Sequence, residues 1–166
     1  MDIDQKVSLN KLWAIGIKEE QIQGLDIIVL PENVSDSDSK KRYDAQNSIT
    51  LSKLLKQEGV SCANSYDLGL DLPTIERRSN DIWMGQLYIL NDAILPILEG
   101  VIGSILATLI LTWRKRKDLR EPAGNVHADI TIIRPEGEIK INYTGEPEAL
   151  LKIIKTLDKK NGSNHS

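Results

Sequence analysis

The sequence predicts an α+β protein made of a small N-terminal α/β layer, one transmembrane-type helix, and a C-terminal β-hairpin followed by a helix. Three observations predict it: an apolar segment in the middle of the chain, alternating polar and apolar residues after it, and mixed helix and strand patterns before it. We therefore divide the 166 residues into regions with different expected structure. These regions are 1–93, 94–113, 114–125, 126–160 and 161–166.

The central segment reads ILPILEGVIGSILATLILTW from Ile94 to Trp113, and its 20 residues suffice to cross a hydrocarbon core. Its eleven Ile, Leu and Val residues favour insertion by on the order of 5 kcal/mol. Glu99 is its only charged residue and opposes insertion by about 3 kcal/mol at most. We predict a single-pass membrane protein whose first partner is the lipid bilayer.

An abrupt basic stop follows this segment, in the order Trp113, Arg114, Lys115, Arg116 and Lys117. An interfacial Trp followed by basic residues is typical of a span that meets anionic headgroups. Basic residues after the segment outnumber those before it, which predicts a cytoplasmic C-terminal tail. The acidic N-terminus has no apolar stretch of the signal-peptide kind, so the side of the membrane that holds residues 1–93 stays open.

Small residues share one face of the predicted helix, at spacing i, i+3, i+4, i+7 and i+8. They are Gly100, Gly103, Ser104, Ala107 and Thr108. Such a face lets membrane helices approach closely, which predicts self-association or pairing with another span. Glu99 lies near the edge of this face and is either an intramembrane functional carboxylate or a residue at the interface.

The tail predicts a ββα arrangement. Apolar residues alternate from Val126 to Ile132 and from Ile139 to Tyr143, with a turn cluster at residues 134–137, which predicts a β-hairpin. Pro147 then suits the first position of a helix. Two strands and one helix make too small a core to stand alone, so the tail should pack on another copy, another protein or the front section. Residues 161–166 are expected to be disordered.

The front section predicts the order helix, strand, helix, strand over residues 8–23, 25–30, 44–57 and 60–63. A third helix is predicted from near Thr74 through Trp83, Leu87 and Leu90 toward the apolar segment, with a kink at Pro96.

Neither end of the chain nor its middle contains a recognisable catalytic or cofactor motif. The sequence lacks a phosphate-binding glycine loop, a dinucleotide fingerprint, a His/Glu metal motif and a nucleophile elbow. The lone Cys62 is expected to be a small buried apolar residue, and the carboxylates of Asp67, Asp71, Glu76 and Asp81 to be solvated. The two histidines, His127 and His165, are expected at the surface. We therefore predict no enzyme activity, no cofactor and no metal, and the net charge of −3 argues against a nucleic-acid partner.

From Gly100 onward the chain resembles the effector-associated constant components of prokaryotic conflict systems. The resemblance rests on the order of a small-residue helix GVIGSILATLILTW, the basic stop RKRK, the hairpin VHADITIIRPEGEIKINY and the segment GEPEALLKIIKTL. It is architectural, covers residues 100–157 and includes no catalytic motif. It implies a non-enzymatic adaptor that couples an effector or a sensor to the membrane.

Two functions from different classes therefore follow from the sequence. The first is a small single-pass membrane-anchored adaptor with an unidentified protein partner. The second is a soluble α/β enzyme or ligand-binding domain in which the apolar helix is a core element or an oligomer interface. The second reading predicts a soluble particle in which Trp113 is buried and Glu99 has a partner.

Overall fold

The computed structural model describes residues 9–34, 36, 38–77, 80–117, 124–135 and 137–163, without the side chains of residues 39, 112–117 and 158–163. Over these described residues the protein is a mixed α+β fold with five α-helices around one five-stranded sheet, which confirms the predicted class. The strands are β1 Ile27–Leu30, β2 Cys62–Asn64, β3 Ile82–Ile89, β4 Val126–Arg134 and β5 Gly137–Gly145. The helices are α1 Asn10–Ala14, α2 Glu19–Ile22, α3 Ser48–Gln57, α4 Leu95–Lys117 and α5 Pro147–Ser163. Short 3-10 turns occupy Ser39–Lys41 and Asp92–Ile94.

The sheet joins the front section and the tail in the order β2-β1-β3-β4-β5. Helix α3 connects the parallel pair β1 and β2, and α4 connects the parallel pair β3 and β4, because parallel neighbours need a long crossover. The tail prediction of a hairpin and a helix beginning at Pro147 is confirmed. Of the three packing partners considered for the tail, the structure selects the front section, whose β3 pairs with β4.

Three helices cover one face of the sheet. The apolar sides of α3, α4 and α5 meet the strands in one large cluster, the main core, where Leu51, Leu98 and Ile154 are at most 2% exposed. On the opposite face, α1, α2 and the adjoining loops form a smaller second core over β1 and its neighbours. The sheet is therefore covered fully on one side and only in part on the other.

Helix α4 is the predicted membrane segment, and it packs on the sheet along one side. The buried residues are Leu95, Leu98, Val101, Ile102, Ile105, Leu106 and Leu109. The stretch Asp92–Leu111 is long and apolar enough to span a membrane, and 39% of it is buried. Its length and composition fit a membrane span and a core helix equally well.

Several predicted boundaries in the chain are wrong. The third predicted helix is instead β3, the middle strand. Most of its residues are buried, so its apolar residues do not alternate and their spacing imitates a helix. The first predicted helix is split into α1 and α2, with Gly16 at a positive φ of 95° between them. Pro96 lies in the first turn of α4, where it needs no kink. Helix α5 continues to Ser163, past the predicted start of disorder at Asn161, and 164–166 lie outside the described residues.

Candidate functional site in the open face of the sheet

The uncovered half of the sheet presents rows of polar side chains from β3, β4 and β5. Directly opposed residues share a face, so the strand register defines each row. The first row is Trp83, His127 and Thr144, and the second is Gln86, Asp129 and Asn142. The third row is Tyr88, Thr131 and Lys140. The first two rows form the floor of what we call the polar cleft, and the third row lies beside it.

An irregularity in β3 brings the first two rows together. The register shifts by one residue between Trp83 and Gly85, which is the mark of a β-bulge. Without the extra residue, Trp83 and Gln86 would point to opposite faces, because they are three positions apart. Gly85 has a φ of +80°, and a Cβ there would lie 3.1 Å from the carbonyl oxygen of Leu30. Glycine is therefore required at this position for both conformation and space.

A three-layer stack closes one end of the cleft. The rings of Trp83 and His127 are parallel within 3° with centroids 3.6 Å apart, and the guanidinium carbon of Arg77 lies 3.9 Å from the Trp83 centroid. Two groups cannot occupy the same space over one ring, so Arg77 and His127 lie on opposite faces of Trp83. Both faces of the indole are thus occupied, and a ligand cannot stack on it.

Carboxylates fix both ends of this stack. Glu32 accepts two hydrogen bonds from Arg77, at 2.8 and 2.9 Å, in the bidentate geometry that suits a guanidinium. At the other end, Asp81 Oδ2 lies 2.7 Å from His127 Nε2, and Thr144 Oγ1 lies 3.2 Å from His127 Nδ1. The hydrogen bond with His127 holds the pKa of Asp81 below its usual value. Asp81 is therefore paired, contrary to the expectation that it is a solvated carboxylate.

The cleft also contains a carboxylate without a cation. Asp129 accepts a 2.9 Å hydrogen bond from Gln86 Nε2, but no basic side chain in the described part of the chain forms an ion pair with it. Burial raises the pKa of Asp129, and the nearby charge of Glu32 raises it further. Asp129 lines a cavity of about 170 Å³ together with Glu32, His127, Asn142 and Thr144.

The groups of this site can bind a polar ligand and can hold a proton. Asp81, His127 and Thr144 form a carboxylate–imidazole–hydroxyl chain, and an imidazole with its proton on Nε2 would donate to Asp81 and accept from Thr144. The order of groups matches that of a hydrolytic triad. The stack on Trp83 and two hydrogen bonds fix the His127 ring, which orients the Thr144 hydroxyl at the cavity wall. Among the described residues, no three His, Cys, Asp or Glu side chains gather to hold a metal ion.

The residues predicted to form a membrane site lie elsewhere. Gly100, Ser104, Ala107 and Thr108 are exposed on the side of α4 away from the sheet. Gly103 is half-buried, and a Cβ added there would meet Leu151 of α5 at 3.5 Å. Glu99 is also half-buried, with no ion pair among the described residues. The helix backbone continues through Trp113 to Lys117, but the side chains of Trp113, Arg114, Lys115, Arg116 and Lys117 lie outside the described residues.

The cleft residues were missed because β3 was interpreted as a helix. The alternation of His127, Asp129 and Thr131 predicts one polar face of a hairpin. A polar face of this kind is expected to contact solvent, so the sequence did not indicate that these residues line a cavity. The prediction for Cys62 is confirmed, since it is buried and donates its thiol to the Ser52 carbonyl at 3.2 Å. Asp67 pairs with Lys56 at the surface.

No family model, curated protein or solved structure matches this chain. The site must therefore be interpreted from its own geometry, and the resemblance to conflict-system components stays a prediction.

Proposed function

We propose that this chain is a soluble ligand-binding domain whose polar cleft binds a ligand through a primary ammonium group. The observation that carries the proposal is the Asp129 carboxylate, which lines a cavity and has no cationic partner among the described residues. A carboxylate that is partly removed from water without a counter-charge is unfavourable in the empty protein. An ammonium group seated beside it would supply that charge.

The other carboxylates near the cavity already have partners. Arg77 neutralises Glu32, and His127 is hydrogen-bonded to Asp81, which does not line the cavity. Among the described residues that line the cavity, Asp129 is the carboxylate without a basic partner, so the cavity favours a cation over an anion. Asn142 and Thr144 line the same cavity, and an amide oxygen and a hydroxyl are neutral acceptors for the remaining ammonium protons.

The packing of α4 supports the soluble part of the proposal. Its side chains Leu98, Ile102 and Ile105 are at most 2% exposed and lie in the same core as Ile27, Met84 and Ile130 of the sheet. Each such side chain contributes about 1.5–3 kcal/mol through burial. A helix inserted in lipid cannot make these contacts, and its departure would leave the apolar face of the sheet in water. The packed fold and a span therefore compete for the same residues.

The test compares two aspartates of similar chemistry. Hexylammonium is titrated against ¹⁵N-labelled protein, and the wild-type protein is expected to shift amide signals of β3, β4 and β5. Asp129→Asn should weaken binding by about tenfold or more, on the order of 1.4 kcal/mol. Asp44→Asn is the matched control, because burial also raises the pKa of Asp44, but it pairs with Ser65 outside the cleft. Equal affinity of wild type and Asp129→Asn, or no binding by wild type, would contradict the proposal.

A membrane-anchored adaptor is the second candidate function. It is favoured by the length and composition of Asp92–Leu111, which satisfy the requirements of a span. In that function the exposed small-residue side of α4 would pair with another helix, and the tail would bind a protein partner. Retention of the chain in carbonate-washed membranes would select this candidate over the soluble domain.

A further inference from the structure

A second cavity adjoins the first along the open face of the sheet. It measures about 220 Å³. Asp129 and Asn142 line both cavities, and Gln86 of the cleft floor also lines the second one. Its distinctive residues are Lys11 from α1, Tyr88 and Thr131 from the sheet, and Lys140 from β5. The two cavities are therefore neighbours along the sheet, and we call them together the groove.

Two hydroxyl groups line this second cavity. Tyr88 is 3% exposed and Thr131 is 5% exposed, and both line the cavity from directly opposed positions on β3 and β4. Neither hydroxyl takes part in a hydrogen bond within the described part of the chain. Both hydroxyl oxygens retain access to solvent in the cavity, so both donors are available to an acceptor that enters it.

Two ammonium groups converge over the same cavity. Lys140 pairs with Glu138 at 3.1 Å, and Lys11 lines the same cavity. The interaction with Lys140 lowers the pKa of Lys11, and burial lowers it further. Glu138 offsets one of the two charges, so the pair retains a net positive charge that an anion would relieve.

We propose that the cavity of Tyr88, Thr131, Lys11 and Lys140 is an oxyanion subsite, so that the natural ligand is a linear zwitterion with its ammonium beside Asp129. This inference rests on the proposed function, since it extends the same groove. Hydroxyl and ammonium donors are the groups that hold a carboxylate or phosphate oxygen.

The sheet sets the separation of the two charged groups. Asp129 and Thr131 are two residues apart on one face of β4, a distance of about 7 Å at the rise of a strand. The α-ammonium and α-carboxylate of one amino acid are too close together to occupy both subsites. A short peptide, or an ω-amino acid of about six carbons, has the required length, about 7.5 Å between its ends when extended.

The experiment uses three probes of one length: 6-aminohexanoate, hexylammonium and hexanoate, each titrated against the whole chain by NMR. We expect 6-aminohexanoate to bind about tenfold more tightly than hexylammonium, and hexanoate to bind weakly. Tyr88→Phe and Lys140→Met should each bring 6-aminohexanoate to nearly the affinity of hexylammonium, while hexylammonium binding stays unchanged. Lys56→Met is the control, because Lys56 pairs with Asp67 away from the groove.

The outcomes separate the two proposals. Equal affinity for 6-aminohexanoate and hexylammonium, with both dependent on Asp129, would overturn the oxyanion subsite and leave the cation site in place. Binding of neither probe would overturn the proposed function itself. A thermal melt of each variant ensures that lost binding is compared only among folded proteins, and Tyr88→Phe preserves the buried ring if Lys140→Met perturbs β5.

Discussion

The imidazole of His127 lies parallel to the indole of Trp83 at 3.6 Å, and its Nε2 lies 2.7 Å from a carboxylate oxygen of Asp81. This relationship connects the start of β3 to the start of β4, which are separated in the chain by the whole of α4. It therefore links the packing of the apolar helix to the geometry of the cleft.

Replacement of His127 tests this link. His127→Ala removes the stack and the partner of Asp81, and should lower the free energy of unfolding at pH 7 by about 1–3 kcal/mol. The folded pKa of Asp81 is lowered, so its contribution to stability is present above its unfolded pKa and is lost as the pH falls through the folded pKa. The difference in stability between wild type and variant should thus become smaller below the usual carboxyl range, where the part due to the ring stack remains. Urea unfolding at pH 7 and in acid measures both, and Tyr66→Ala, at a residue 72% exposed, is the control.

The charge of Asp129 should lower the stability of the fold while it favours ligand binding. Its folded pKa is raised, so its contribution to stability is present below the unfolded pKa and is lost as the pH rises through the folded pKa. Asp129→Asn should therefore raise the free energy of unfolding at pH 7 by less than about 1 kcal/mol while it weakens ammonium binding about tenfold or more. Asp44→Asn should also stabilise the protein but leave binding intact. A destabilised Asp129→Asn protein would contradict this account of the charge.

The pH dependence of binding follows from the same shift. Protonation of Asp129 removes the charge that attracts the ammonium group, so hexylammonium affinity should fall as the pH drops through the raised pKa. The fall should begin at a higher pH than an ordinary aspartate would give. Titrations between pH 7 and pH 4 measure it, and affinity that is constant over this range would contradict a role for Asp129.

Two leucines of α4 distinguish a core helix from a span. Leu98 is 2% exposed in the main core, whereas Leu111 is 57% exposed. Leu98→Ala should cost about 2–5 kcal/mol and Leu111→Ala no more than about 0.5 kcal/mol. Chemical denaturation of both variants without detergent measures the difference. Two small and similar effects would indicate that α4 does not pack on the sheet.

Alanine substitutions at two glycines should change the stability of the protein in opposite directions. Gly100 lies in α4 with nothing within 4 Å of an added Cβ, so Gly100→Ala should stabilise the protein by about 0.5–1 kcal/mol. Gly85 has a positive φ and a crowded Cβ position, so Gly85→Ala should destabilise it by more than about 1 kcal/mol. Thermal unfolding of both proteins checks the pair. A neutral Gly85→Ala would show that the bulge is not fixed as described.

The tail could be predicted from the sequence because its signals are local. Alternation in β4 and β5 and the proline at the start of α5 act within a few residues. Strand β3 could not be predicted, since its pairing partners β1 and β4 come from distant parts of the chain and most of its residues are buried. The cleft depends on that strand. The pairing of Trp83 with His127 and of Gln86 with Asp129 follows from register and a bulge, which no local pattern encodes.

The packing of the central segment also could not be predicted from the sequence. Its composition satisfies the physical requirements of a membrane span, and the sequence cannot reveal that a sheet with a matching apolar face is available to cover one side. The division of α4 into a small-residue side and a larger apolar side follows from helical periodicity, and the structure has the apolar side inward. Self-association through the small side remains a prediction.

The most direct test of the central claim is the partition of the expressed chain between membrane and soluble fractions after an alkaline carbonate wash. The soluble ligand-binding domain predicts that the chain appears in the supernatant without detergent, with α4 packed on the sheet. Retention in the pellet and release only by detergent would contradict it, and would establish α4 as a membrane anchor.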